Sequence, residues 1–388
     1  MKKTLLPFLL AILLLSCQKE SRDKMEKQAT INNQLPKFSC GADDVLKRFS
    51  ALIERNINQA KARMDDRNRI SRIGSQRVKP FVIYLDADGE TITNTYWNNY
   101  VQGAPIKAAA SSLSLEKLRA VQKAVADDYS PWLIEVTLDE KVYNAADPYY
   151  RSRCILTESS EWLCGDDIAC YGGIAFLGSG FWGDNTPCFV FTNGMSGIVK
   201  FVVEAVSHEL GHTLGLAHQS VWDASCQKIA EYNEGYGYGP TSFAPIMGVG
   251  YYARITNWFT GTDTYSCTDI QNDFQSISRY IPVMQDLEGK VITNGFIGLL
   301  NYGGDVDIND IMLKGGGTTI RVTSDNADLK ITLYRKGGKL VAANTNAFDT
   351  DAKLFVKAGG KFKLKIEAVS NENVSRQFMT GKYLVSIR

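Results

Sequence analysis

The sequence predicts an α+β protein: a mixed strand-and-helix region over residues 80–285, followed by an all-β sandwich over 290–388. Three observations predict it. Strand-like segments (PFVIYLD, LIEVTLDE, SRCILTE, GGIAFLG, CFVFTN) share the stretch after Pro80 with helical ones. After Val291, glycine-separated segments such as TTIRVTS, DLKITLYRKGG and AKLFVKAGG take over. In KFKLKI the apolar Phe362, Leu364 and Ile366 alternate with lysines, as a strand with one buried and one wet face requires. Within the first region, one amphipathic segment and the turn after it carry all 3 histidines of the chain.

In chain order, Lys2 and Lys3 precede an apolar run from Leu5 to Leu15 that ends in LLSC, the pattern of a signal peptide. The run is shorter than the ~20 apolar residues that span a bilayer. Leu14, Leu15, Ser16 and Cys17 resemble the bacterial lipobox. That resemblance implies a signal over 1–17, lipidation at Cys17, and a membrane anchor in the cell envelope, with Gln18 favouring the outer membrane. The alternative is a plain secretory signal cut near Ser16. Residues 18–79 then read as a tether and helical propeptide: polar to about residue 35, an amphipathic helix over 42–66, and a basic linker from Arg67 to Lys79 open to proteolysis. From Pro80, PFVIYLDADG is a strand entering a turn, and SLEKLRAVQKAVADDY a helix with Ser114 as its cap. Loops rich in glycine and tyrosine fill 219–266, and TDIQNDFQSISRYI closes the region as a helix.

Charge excludes some functions. With 43 basic against 42 acidic residues and a net charge of +1, binding of nucleic acid driven by long-range charge is disfavoured. Export makes disulfides the expected fate of cysteine, and 6 of the 8 cysteines lie between Cys154 and Cys267. Three bridges there are the reading; a four-cysteine zinc site is the alternative, which the lack of a CxxC spacing disfavours.

The chemistry lies in HELGHTLGLAH. His208 and His212 are one helical turn apart, so both imidazoles reach one ion. Val199, Val202, Val203, Val206 and Leu210 form a stripe on roughly the opposite side, which packs one face inward and turns the histidines to a cleft. Gly215 can adopt the left-handed conformation that ends a helix and brings His218 round as a third ligand. Three neutral imidazoles leave one of zinc's four positions open, the pattern of a catalytic site. Water there is acidified, and Glu209 is placed to accept its proton and pass it to a leaving amine. Five fixed positions match by chance on the order of once in 10^4 chains of this length.

HExxHxxGxxH, complete here as His208, Glu209, His212, Gly215 and His218, resembles the signature of the metzincin metallopeptidases. APIMGVGYY is similar to their methionine turn, which implies that Met247 forms an apolar floor under the metal. Over residues 80–283 the chain resembles bacterial reprolysin-like and matrixin-like catalytic domains. The resemblance implies a twisted mixed sheet, an active-site helix and a small lower subdomain, with peptide substrates lying across the cleft between. GGIAFLG looks like the edge strand that binds substrate, so main chain around Ile174 and Ala175 would hold it; an ordinary sheet strand is the alternative. Two positions depart from known subfamilies. Gln219 follows the third histidine, and Val249, two residues after Met247, stands where some members carry a tyrosine.

PKFSCGADD is similar to the cysteine switch of matrixin propeptides, which implies that the Cys40 thiol fills the fourth metal position until the propeptide is removed. A free or differently paired cysteine is the alternative. The C-terminal region looks like a prepeptidase C-terminal domain. Its DVDIND, Asp305 to Asp310, is a weak match to a Ca2+ loop, and a turn before a strand reads better. The expectation is a lipid-anchored, zinc-dependent endopeptidase acting on proteins or peptides. The alternatives are an inactive surface adhesin on the same scaffold and a zinc amidase acting on cell-wall peptides.

Overall fold

Phe81–Asp86 (β1) is buried at every position, which requires cover on both faces of its sheet. In the computed structural model it is the second strand of a five-stranded sheet. The structure describes residues 40–41, 51, 55–56, 58–59, 79–165, 171–284, 294–335, 337–345, 351–370, 375–376 and 379–388, all in one unit, Phe38–Arg388. The signal segment, Cys17, the tether, most of the propeptide helix and linker, and Cys170 lie outside the described residues.

The next elements are a hairpin, Glu90–Ile92 (β2) with Ile106–Ala108 (β3), which encloses helix Tyr96–Tyr100 (α1). Leu115–Asp128 (α2) follows, its Ser114 side chain accepting from the Lys117 N–H as a cap should. Then come Ile134–Thr137 (β4), Glu140–Ala145 (α3), Arg151–Thr157 (β5), Glu161–Cys164 (α4), Gly173–Ile174 (β6) and Cys188–Phe191 (β7). The sheet order is β4-β1-β5-β7-β6, parallel except for β6, which pairs antiparallel with β7 at one edge. Val199–Thr213 (α5) packs with α2 on one face, where Val121, Val125, Val202, Val206 and Leu210 meet Phe81, Ile83 and Leu156. The other face is covered by Trp97, Phe176 and Trp182.

The stretch after His218 is more ordered than its glycines predict. Three short strand pairs replace the expected loops: Val221–Trp222 (β8) with Lys228–Ala230 (β9), Phe243–Pro245 (β10) with Ile255–Asn257 (β11), and Thr260–Thr262 (β12) with Ile270–Asn272 (β13). The closing helix is correspondingly shorter, Asp273–Ser278 (α6), because β13 claims its first turn.

Cysteine pairing departs from expectation. Cys226 and Cys267 form a disulfide that ties the β8–β9 hairpin to the turn before β13, and Cys164 is also disulfide-bonded. Cys154 and Cys188 are not bonded. They are register partners on β5 and β7, buried in the main core as small apolar side chains, so the reading of three bridges fails at this pair.

The sandwich has two antiparallel sheets. One holds Gly295–Leu300 (β14), Thr318–Thr323 (β16), Ala352–Val356 (β19) and Gly381–Ile387 (β21). The other holds Val306–Leu313 (β15), Leu329–Arg335 (β17), Leu340–Thr345 (β18) and Gly360–Ala368 (β20). Phe362, Leu364 and Ile366 point inward and Lys361 and Lys363 outward, as the alternation predicts. The Asp305 side chain caps the turn before β15, accepting from the Asn301 and Val306 N–H groups. Asp310 pairs with Lys363. The sandwich shares core with the rest of the unit, since Phe243 and Ile255 pack into its inner cluster.

Candidate metal centre

Helix α5 carries the histidines because its valine stripe is committed to the sheet. His208, Glu209 and His212 are buried all the same, since β6 and the loop carrying Met247 close over them. Gly215 has φ +93°, the left-handed turn expected to release the chain toward His218. His212 Nε2 lies 3.1 Å from both His208 Nε2 and His218 Nε2.

The other ring nitrogens explain this convergence. His208 Nδ1–H donates to the Ile246 carbonyl at 2.8 Å, and His212 Nδ1–H to the Leu216 carbonyl at 2.7 Å. A carbonyl oxygen only accepts, so each Nδ1 carries the proton and each Nε2 keeps a lone pair. His218 Nδ1–H donates instead to a carboxylate, Glu231 Oε1, at 2.9 Å. Glu231 is held by Thr264 Oγ1 at 2.6 Å and Lys228 Nζ at 2.8 Å. Burial holds His208 neutral, its pKa lowered to about 3, and pushes His212 well below the usual imidazole value. Neutral imidazoles with inward lone pairs are metal ligands. Tetrahedral zinc with nitrogens at 2.0–2.1 Å would set them about 3.3 Å apart, close to the spacing present.

Cys40 completes the cluster. Its Sγ lies 3.4 Å from His212 Nε2, and the thiol donates to Glu209 Oε2 at 3.5 Å. One ligand atom from each of Cys40, His208, His212 and His218 falls within 4.8 Å of the others. Burial pushes Glu209 up to about 8, with the Cys40 thiol and then His218 pulling the other way. Beside Glu209, a cavity of about 20 Å³ lined by Cys40, Glu204, His208, Tyr232 and Tyr251 has room for a single water.

Close backbone approach shapes the floor and wall. A Cβ on Gly211 would meet Met247 Sδ at 2.4 Å, so Met247 sits directly against the turn between the two helix histidines. A Cβ on Gly173 would fall 2.5 Å from Glu209 Oε1, so the β6 backbone is the wall against which Glu209 rests. The Gly41 N–H donates to the Gly173 carbonyl at 3.0 Å, and Cys40 bridges Gly173 in parallel sense. The pairing residue is therefore Gly173; Ile174 is the last residue of β6, and Ala175 lies beyond it. Gln219 donates its N–H to the Met247 carbonyl at 2.7 Å and its side chain to Asp273 at 2.9 Å, joining the histidine loop to the floor and to α6. Val249 is tied through its N–H to the Asn233 carbonyl, while Tyr251 and Tyr252 pack on Phe201.

Residues 155–219 match the reprolysin-like metallopeptidase family M12B. The matched stretch runs from β5 to the residue after His218. It supports a metallopeptidase that acts on proteins or peptides, and the histidine cluster supplies a candidate metal site for it. No curated protein matches the chain. Among solved structures, the prepeptidase C-terminal domain of a Bacillus anthracis collagenase is similar at 20% identity over 26% of this chain and 95% of that one, with a TM-score of 0.21. The periplasmic g-type lysozyme inhibitor PliG of Aeromonas hydrophila is 14% identical over 26% of this chain and 98% of its own, with a TM-score of 0.18. PliG of Salmonella Typhimurium is 19% identical over the same shares, 26% and 98%, with a TM-score of 0.19.

Sequence reasoning missed Glu231, Tyr232 and Gly173. The Gly172–Gly173 pair ahead of Ile174 was a readable sign of close backbone approach. Nothing in the spacing of Glu231 marks it, because a β-hairpin brings it to His218.

Proposed function

We propose that the chain is an exported, lipid-anchored zinc endopeptidase made as a zymogen. The observation that carries the reading is the convergence of three Nε2 atoms whose Nδ1 partners are all committed elsewhere, beside a buried carboxylate, Glu209. His208, His212 and His218 would hold the ion. When bound, zinc supplies Lewis acidity, polarising a carbonyl and acidifying water.

The chain's own residues supply the rest. Glu209, resting on Gly173, accepts a proton from water at its carboxylate and returns it to the leaving amine. Once the Cys40 segment has left it, the outer edge of β6 aligns an extended peptide by main-chain bonds. Met247 keeps the floor beneath the ligands dry.

Cys40 accounts for latency. Its thiol stands between His212 and Glu209, where the water would have to be, and its segment lies along the β6 edge that a substrate would use. Cleavage in the basic stretch from Arg67 to Lys79 would free that segment and separate the enzyme from its anchor at Cys17. The lipobox-like Leu14–Cys17 supports placement at the outer membrane, with release to the outside after processing.

The test uses the full chain before and after limited cleavage in the basic stretch, assayed on a peptide library. Chelator-sensitive cleavage should appear only after processing and be absent from Glu209→Ala. Cys40→Ala removes the thiol and leaves the segment on β6, so the unprocessed variant should be more active than the unprocessed parent and less active than the processed chain. A processed chain that cleaves nothing overturns the peptidase reading; an unprocessed parent as active as the processed chain overturns the latency reading.

A further inference from the structure

Tyr232 follows Glu231 on the segment leaving β9, and its hydroxyl makes two bonds to one residue. It accepts from the Cys40 N–H at 2.9 Å and donates to the Cys40 carbonyl at 3.1 Å. Its ring lies against His218, with centroids 4.7 Å apart. On the other side of the same chain, Gly41 donates to the Gly173 carbonyl at 3.0 Å. The backbone at Cys40 is thus held between two walls, the β6 edge and one phenol.

Neither wall reads a side chain. The N–H and carbonyl of Cys40 are groups that every residue except proline offers in full, so the grip is indifferent to what is gripped. The phenol is also anchored independently of the propeptide: the Cys226–Cys267 disulfide fixes the hairpin and Glu231 fixes its neighbour to His218. When the Cys40 segment leaves, the hydroxyl stays beside the metal ligands.

We infer that Tyr232 is a main-chain clamp used twice, first on the propeptide at Cys40 and then on the main chain of the substrate residue adjoining the scissile bond. The second use rests on the peptidase reading above; the first does not. It makes Tyr232 a substrate-positioning residue on an element distinct from both the histidine helix and the Met247 loop. Proline in the clamped place would forfeit the N–H bond, so such peptides are poor substrates.

The experiment is Tyr232→Phe in the full, metal-loaded chain, which keeps the ring against His218. In the unprocessed form, the Cys40 thiol should react with a maleimide about ten times faster, as expected for losing two main-chain bonds. Cys154 and Cys188 are buried and silent in this assay. In the processed form KM should rise about five- to tenfold while kcat changes less than about twofold, the pattern of lost uniform binding. Zinc affinity, read by competition with a chromophoric chelator, should match the parent. An unchanged thiol rate overturns the clamp on the propeptide. A faster thiol with an unchanged KM overturns the second use. A fall in zinc affinity that parallels the other changes overturns the clamp altogether, since Tyr232 would then support the metal site. If the processed parent cleaves no peptide, the peptidase reading falls, and the thiol rate still decides the first use.

Discussion

Replacing Asp128 by asparagine should flatten the pH dependence of stability, and the size follows from its surroundings. Asp128 ends α2 at the junction with the sandwich. Its Oδ2 accepts from Ser207 Oγ at 2.6 Å, its Oδ1 from Asn326 Nδ2 at 2.7 Å, and its carbonyl from the Trp258 indole at 2.8 Å. Burial, with Glu204 nearby, raises its pKa from 3.8 to about 7, against the pull of Ser207 and Asn326. A carboxyl whose folded pKa exceeds its unfolded one binds protons more tightly when folded. Its penalty is absent below pH 3.8, grows as pH rises, and is complete above about 7. Three units correspond to about 4 kcal/mol in full, of which about 2 kcal/mol falls between pH 5.5 and 8. Urea unfolding of the metal-free parent and Asp128→Asn at both pH values isolates this term, because histidine and other carboxyl contributions cancel in the difference. The parent should lose about 2 kcal/mol more than the variant on going to pH 8. Equal losses would show that this carboxyl is hydrated and that the sandwich does not seal it.

Two further substitutions address the site. Gly173→Ala places a methyl against the Glu209 carboxylate and should lower kcat/KM by about 10^2- to 10^4-fold, as for a displaced general base, with zinc affinity nearly unchanged; retained activity would show that Glu209 does not rest on this wall. Glu231→Ala should weaken zinc binding by about 10- to 100-fold in a chelator competition, and Glu231→Gln, which still accepts from His218 Nδ1–H, by less; parent-like affinity in both would remove Glu231 from the support of the metal.

Features with local causes were legible in the sequence. Five apolar residues at helical spacing defined α5, the same spacing placed His208 and His212 together, and Gly215 announced the turn to His218. The sandwich strands were equally plain, since period-two alternation needs only a neighbour on one face. Features that depend on distant backbone were hidden. Cys154 and Cys188 looked like half of a disulfide set, and only sheet register shows two thiols packed as core. Glu231 and Tyr232 acquire roles because β8 and β9 pair and a disulfide anchors them, and no spacing rule encodes that. The domain boundary near residue 290 was read from composition, which is blind to polar side chains that reach across it.

Those crossing contacts imply that the sandwich belongs to the metal site's framework. Asn257 donates to the Asn326 and Thr380 carbonyls at 3.0 and 2.8 Å, Thr380 Oγ1 returns a bond to Asn257 Oδ1 at 2.9 Å, and Asn326 reaches Asp128 and through it Ser207, the residue before His208. Phe243 and Ile255, fully buried, complete the junction with apolar surface. Re-exposing those two side chains costs about 3–6 kcal/mol, and each unpaired buried polar group adds about 1–3 kcal/mol, against a typical total of 5–15 kcal/mol. The two ends of the catalytic region should therefore respond oppositely to proteolysis. A cut between Arg67 and Lys79 should activate the enzyme and lower its melting temperature only by what the Cys40 segment contributes, a few main-chain bonds and one thiol. A protease site engineered between residues 285 and 293, once cut and the halves separated, should lower the melting temperature by about 10–20 °C and abolish cleavage. A separated 80–285 half that melts with the intact chain would refute the framework role and return the sandwich to the status of an independent appendage.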